Sequence, residues 1–160
     1  VRIITPITYT VPAQRGGLDG AAQETHSLLT DENGDVTECR HANFMFVSEG
    51  RIKLPSRAKA LPGISMDTVL ELAASLDIPV DDGSHTVSDV YMADEAFISG
   101  TRYCMLPVAT VNGLDIGSEV PGPITGRLLA AWSEEVGIDF VKQALDHLPS
   151  EDTQVIPTPA

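Results

Sequence analysis

Cysteine is nearly absent from this 160-residue chain: Cys39 and Cys104 stand far apart with no C-x-x-C spacing. That excludes a zinc knuckle and a disulfide framework and points to a reducing compartment. Positive charge is also scarce, ten Lys and Arg against 23 Asp and Glu, for a formal charge of -13 and a pI near 4.4. A field of that sign repels phosphate at long range, which argues against nucleic acid or an anionic membrane as partner while leaving a local anion site open. No apolar run is long enough to span a bilayer, and no basic start leads into a signal-like segment. The expectation is a soluble, cytoplasmic protein. An initiator Met is lacking as well; the chain opens on the β-branched "VRIITPITYT", as if something upstream had been removed or left out.

What is present is enough apolar sequence, 42% in 17.0 kDa, for the core of one domain, expected over residues 1–148. The polar, proline-bearing end of the chain is expected to be a disordered tail over 149–160. Pro12, Gly16 and Gly17 break up the first segment, and "LDGAAQETH" predicts a helix of two turns. A meander follows: "SLLTD", an Asn33-Gly34 turn, "VTEC", "NFMFV", a Glu49-Gly50 turn and "RIKLP". In "NFMFV" the alternation puts Asn43, Met45 and Val47 on one face and Phe44 and Phe46 on the other. "GISMDTVLELAASLD" is the clearest helix, with Ser65 as N-cap, Ile64 and Val69 as a hydrophobic staple, and Val69, Leu72, Ala73 and Leu76 as its apolar stripe. "IPVDD" predicts a strand and "TVSDVYMA" a short helix capped by Thr86. "EAFISG" and "CMLPVATV" predict two more strands, and Asn112-Gly113 turns the chain into "LDIG". The long run from "GPIT" to "LDHL" predicts a helix bent at Gly137, with Ile124, Leu128, Trp132 and Val136 on one face before the glycine. Strand runs mixed with isolated helices indicate an α+β fold.

Two polar residues sit oddly in the meander, Glu38 and Asn43 in "VTECRHANFMFV". Taken with "LPGIS" opening the main helix, "ISGTRYCMLPV" leaving a strand, and "NGLDIGSEVPGPIT" behind them, this stretch resembles the large domain of the fold-type IV pyridoxal-phosphate enzymes. That family contains the branched-chain and D-amino-acid aminotransferases, the R-selective amine transaminases and aminodeoxychorismate lyase. The resemblance runs from about residue 27 to about residue 132. It implies the D-amino-acid-aminotransferase-like fold, pyridoxal 5'-phosphate as cofactor, an amino acid or amine and a 2-oxo acid as substrates, and a homodimer.

Residue by residue, the resemblance makes Glu38 the acid that keeps the pyridine nitrogen protonated, which the cofactor needs to act as an electron sink. It makes the amides of Gly63, Ile64 and Ser65, with the Ser65 hydroxyl, a phosphate seat at a helix N-terminus. Leu61 packs against the ring, Asn43 helps to fix the loop, and the amide and hydroxyl of Thr101 add donors. Each stretch also has a plain reading: Glu38 as a solvated hairpin residue, Gly63 as a turn glycine, Ser65 as an ordinary cap, and "SGT" as a polar turn.

Three departures matter. Cys39, Arg40 and His41 follow the glutamate where relatives have small residues. Arg102, Tyr103 and Cys104 likewise follow "SGT". Arg102, with Tyr103 beside it, is placed to take a substrate carboxylate by a bidentate pair, to fill the pocket, or to pair with an acid of this chain. The cysteines are read as packing residues and His41 as polar filler. The third departure is the family's cofactor-linking lysine, some thirty-odd residues before the glutamate. Counting back from Glu38 reaches the neighbourhood of Thr5, and the only lysines are Lys53, Lys59 and Lys142. Threonine supplies neither the covalent bond nor the proton shuttle, so no catalytic residue is assigned. The family's smaller N-terminal domain has no counterpart in the chain. Two explanations stay open at this point: the large-domain portion of a shortened aminotransferase, or a divergent, non-catalytic binding protein that retains the scaffold.

Overall fold

The computed structural model describes residues 7–11 and 24–146. Its elements in chain order are β1 (Ile7–Val11), β2 (Glu24–Thr30), β3 (Val36–Cys39), β4 (Asn43–Ser48), β5 (Arg51–Pro55), α1 (Ile64–Ser75), β6 (Val80–Gly83), α2 (Val87–Tyr91), β7 (Glu95–Gly100), β8 (Cys104–Val108), β9 (Thr110–Val111), β10 (Leu114–Asp115), α3 (Pro123–Val136) and α4 (Phe140–Asp146). The strands form two sheets, ordered β10-β9-β1-β2-β3 and β6-β5-β4-β7-β8. Every pairing is antiparallel except β5 with β6, which α1 connects as a crossover. The class is α+β, as the sequence predicts.

The period-two pattern of β4 explains the layering. Phe44 and Phe46 point into a core between the sheets with Leu28, Val36, Ile98, Val108 and Val111. Met45 and Val47 point the other way, into a second core that α1 and α3 close with Val69, Leu72, Leu128 and Trp132. Strand β4 is thus buried on both faces, Asn43 included. The neighbouring β7 is buried on both faces in the same way.

Four expectations are corrected. The helix over "LDGAAQETH" is not formed at its end: residues 24–26 begin β2, whose Glu24 and Thr25 pair with Val11 and Thr10. Its earlier residues, like Pro12, Gly16, Gly17, Thr5 and the tail, lie outside the described residues. "CMLPVATV" divides into β8 and β9, because the chain leaves one sheet for the other around Ala109, whose carbonyl accepts from Ile116 N at 2.8 Å. The long last helix does not bend at Gly137 but stops there. Gly137 sits at φ 69, and Gly137 N donates to Glu134 O while Ile138 N donates to Ser133 O, the paired bonds of a Schellman motif. Helix α4 then starts afresh, its Phe140 edge-on to Trp132 at 6.0 Å, and Val136 is left exposed. Finally, α1 begins at Ile64 with Gly63 at the N-cap. Ser65 is therefore inside the first turn, and Ile64, 86% exposed, staples nothing.

Other local signals hold. Thr86 caps α2 through a reciprocal box with Asp89. Glu49 and Gly50, and Asn112 and Gly113, all take positive φ in two-residue hairpin turns. No described helix is long and apolar enough to cross a membrane.

One long-range contact closes the helix layer. Glu95, 5% exposed at the start of β7, accepts from Ile124 N at 2.8 Å and Thr125 N at 2.7 Å, so it caps α3 from another element. A Cβ on Gly122 would collide with that carboxyl group, which is why the cap position is glycine. Replacing Glu95 by Ala leaves two helix amides without a partner and opens a void. Urea unfolding should show a loss of about 2–4 kcal/mol; a change under half a kcal/mol would refute the role of this cap. Gly126, on the same helix with open space where a Cβ would go, should behave oppositely. Gly126→Ala should raise stability by roughly 0.5–1 kcal/mol in the same measurement.

Candidate cofactor site

The site is built on two neighbouring hairpin turns and one helix start. Strands β3 and β4 are joined by a tight turn in which Cys39 N donates to Ala42 O at 2.8 Å, leaving Arg40 and His41 exposed at its tip. Cys39 itself is buried in the intersheet core. Glu38 and Asn43, on either side of the turn, both reach Leu61. The Leu61 N–H donates to Glu38 Oε2 at 2.9 Å, and Asn43 Nδ2 donates to the Leu61 carbonyl at 2.8 Å. Among the described residues nothing donates to Glu38 Oε1. Asn43, only 8% exposed, meets by this bond the need of a buried amide for a partner.

Beyond Leu61 the chain enters α1 through Gly63, whose φ of -101° is open to any residue. Space, not conformation, demands glycine here: a Cβ would overlap Asn43 Oδ1. The first turn of α1 has no side-chain cap. In the other three helices a side chain occupies this place: the Thr86–Asp89 box for α2, Glu95 for α3, and Asp139, which accepts from Lys142 N at 2.8 Å, for α4. Open amides at the positive end of a helix can receive an anion. Leu61 and Ile64 flank them, 72% and 86% exposed, as an unusually bare apolar pair. Ser65 is half-buried in that same turn.

The second hairpin, β7–β8, lies beside the first because Asn43 pairs with Ser99. Ser99 is fully buried, and its Oγ has no partner among the described residues. Gly100 faces the first turn: a Cβ there would stand 3.4 Å from the His41 carbonyl and 3.3 Å from the Tyr103 ring. Thr101 and Arg102 are exposed at the tip. Tyr103 is half-buried, edge-on to His26 at 6.4 Å, so its ring packs and only the tip residues face outward. Burial pushes the Cys104 thiol up, in keeping with a packing role. Glu38, Leu61, Gly63 and Ser99 thus gather around Asn43, with Ser65 and Thr101 each two residues from a member of that group. Sequence reasoning missed Ser99 and the Glu95 cap. An acid at the head of the otherwise apolar "EAFISG" was the available signal for Glu95.

None of the lysines is free. Lys53 pairs with Asp81, and Lys142 with Asp146. Lys59 bridges Asp31 at 2.6 Å and Asp35 at 2.8 Å on the β2–β3 turn, tying down the segment that leads to Leu61. Hydrogen bonding to Lys59 holds both carboxyls below their ordinary 3.8, and the same bonds raise Lys59 above 10.5. Depressed carboxyls stabilise the fold above their unfolded value and lose that contribution as pH falls through the folded one. A raised amine does so below its unfolded value and loses it as pH rises through the folded one. The melting-temperature gap between the wild type and Lys59→Met should therefore be constant near neutrality, narrow below pH 3.8 and narrow again above pH 10.5. A gap unchanged down to pH 2 would disprove the anchoring role.

Known proteins share this fold. The class IV amino-transferase family model matches residues 9–111. The branched-chain-amino-acid aminotransferase of Escherichia coli K12 is 33% identical over 138 residues, covering 79% of this chain and 45% of its own length. A solved structure of the Escherichia coli enzyme superposes with a TM-score of 0.65 at 33% identity, over 70% of this chain and 37% of that one. The branched-chain amino acid aminotransferase from Thermobaculum terrenum, solved in its PLP form, superposes with a TM-score of 0.65 at 30% identity, over 72% and 38% respectively. The chain spans less than half the length of these relatives. On the match across residues 9–111 and the identity shared over four-fifths of its length, the chain belongs to the class IV aminotransferases.

Proposed function

We propose that this chain seats pyridoxal 5'-phosphate and that the whole protein works in amino-group transfer between a small amino acid or amine and a 2-oxo acid. The observation that carries the reading is the shared grip of Glu38 and Asn43 on Leu61, which makes the acid strand and the uncapped start of α1 one unit. The residues fit the group: the first-turn amides of α1 carry no side-chain cap, and buried Ser99 Oγ is unpartnered among the described residues on the strand paired with Asn43. In this reading the amides of Gly63, Ile64 and Ser65 and the hydroxyl of Thr101 hold the phosphate. Leu61 would support the ring, and Arg102 at the exposed turn tip would face the substrate, while the Tyr103 ring packs behind it. When bound, the cofactor supplies an electron-withdrawing pyridinium that stabilises negative charge next to the amino group. Glu38, whose Oε2 accepts from Leu61 N, would be the residue that keeps the ring nitrogen protonated. The lysine that would bond the cofactor and move the substrate proton is supplied by none of Lys53, Lys59 and Lys142, each engaged by a carboxylate. This last observation favours a second reading, a non-catalytic protein that keeps the cofactor seat.

Pyridoxamine 5'-phosphate, which forms no bond to lysine, tests the seat directly by calorimetric titration. Saturable binding is expected, weakened about tenfold or more in Gly63→Val through loss of charge-assisted amide contacts, with Gly126→Ala as the unaffected control. Absence of saturable binding, or equal affinity in Gly63→Val, would overturn the reading. Borohydride treatment of a pyridoxal phosphate mixture should leave no stoichiometric label on any lysine; a single labelled lysine would show that the chain carries its own nucleophile after all.

A further inference from the structure

The strap of chain that carries Leu61 has no hold on either core. From Ser56 to Ser65 no side chain is buried, and burial resumes only at Met66 in α1. Hydrophobic contact therefore fixes the two ends of the strap and not its course. Its own backbone closes one turn, in which Lys59 N and Ala60 N donate to Ser56 O. Downstream, Glu38 and Asn43 hold Leu61. Upstream two cations reach other elements, and they are unequal. Arg57 stands 3.7 Å from Asp67 and 4.0 Å from Asp82, all three side chains well exposed, and pairs of that kind contribute little in water. The Arg57 N–H adds a long bond to Asp82 Oδ1, 3.3 Å and exposed. Lys59 Nζ, by contrast, lies 2.6 Å from Asp31 Oδ2 and 2.8 Å from Asp35 Oδ2, and these carboxylates are mostly covered, 12% and 16% exposed. Both acids are themselves fixed. Asp31 Oδ1 accepts from Asn33 N at 2.8 Å and Asp35 N at 3.0 Å, and the backbone of Asp35 bridges to Thr86 at the head of α2. A cation set between two prearranged acceptors is the upstream anchor of the strap.

We propose that Lys59 is a positioning residue of the cofactor seat: through its two aspartates it holds Leu61 where the amide can orient Glu38 and where the first amides of α1 can receive a phosphate. This role rests on the reading that the site seats pyridoxal phosphate. Lys59 touches neither cofactor nor substrate in it. It limits how often the strap opens while both cores stay closed.

Hydrogen exchange of the unliganded chain and calorimetric titration with pyridoxamine 5'-phosphate test this together. In Lys59→Met the Leu61 amide should exchange about tenfold faster, while the amides of Phe44, Met45, Phe46 and Val47 in β4 keep their wild-type rates. Affinity for pyridoxamine 5'-phosphate should fall about threefold to tenfold. Lys59→Arg, whose fork can serve both carboxylates, should restore most of both readouts. Adding Asp31→Asn and Asp35→Asn to Lys59→Met removes the repulsion between the two stranded acids and should restore neither. Unchanged exchange at Leu61, or wild-type affinity in Lys59→Met, overturns the role of Lys59 and leaves the cofactor seat standing. So does recovery in the triple variant, which would trace the loss to acid repulsion, or a rise in the β4 rates equal to that at Leu61, which would make the lysine a general stabiliser. If pyridoxamine 5'-phosphate does not bind the wild type, the seat falls and the positioning role with it.

Discussion

The site depends on how one peptide-flanked residue is held. The loop between β5 and α1 has no ladder to satisfy its backbone, yet the amide and carbonyl of Leu61 are both answered by side chains of a single hairpin, Glu38 and Asn43. Because those side chains rise from paired strands, the loop inherits their precision. Gly63 completes the arrangement by letting Asn43 stand where any larger residue would put its Cβ. Upstream, Lys59 ties the same loop to the β2–β3 turn through two aspartates. The start of α1 is therefore positioned from three sides before any ligand arrives, which lowers the ordering cost of binding.

The two cores give this scaffold its rigidity. Strands β4 and β7 lie between them, and their alternate residues serve different layers: Phe44 and Phe46 the intersheet core, Met45 and Val47 the helix-covered one. Asn43 and Ser99 are the last paired residues on the helix-covered side. There the apolar layer gives way to a polar one directly under the first turn of α1.

Much of this was readable from local sequence, and the failures have a common cause. The strands, the Asn112-Gly113 turn and the Thr86 cap were legible because their causes lie within a few residues of each other. Glu38 and Asn43 stood out because a strand rarely keeps an acid and an amide without a use for them. Ser65 was misread as a cap because the local preference for serine yielded to a tertiary contact, Gly63 against Asn43. Residues 24–26 looked helical until their pairing with β1, which lies before them in the chain, decided otherwise. Glu95 serves amides 29 and 30 residues away, a distance over which no spacing rule operates. The departures at Arg40 and Arg102 were visible in the sequence, but the adjacency of their two turns was not, since it depends on the β4–β7 register.

Glu95 has one more consequence. A β-strand displaced by two residues keeps its inward and outward faces, so hydrophobic patterning alone cannot distinguish the correct alignment of β7 from that slip. The carboxylate can: moved by two positions it would abandon the amides of Ile124 and Thr125, leave a charge stranded among apolar neighbours, and drag Thr101 off its place at the far end of the strand. A contact remote from the chemistry thus works as an alignment key, converting an alternation that tolerates several frames into one that tolerates a single frame.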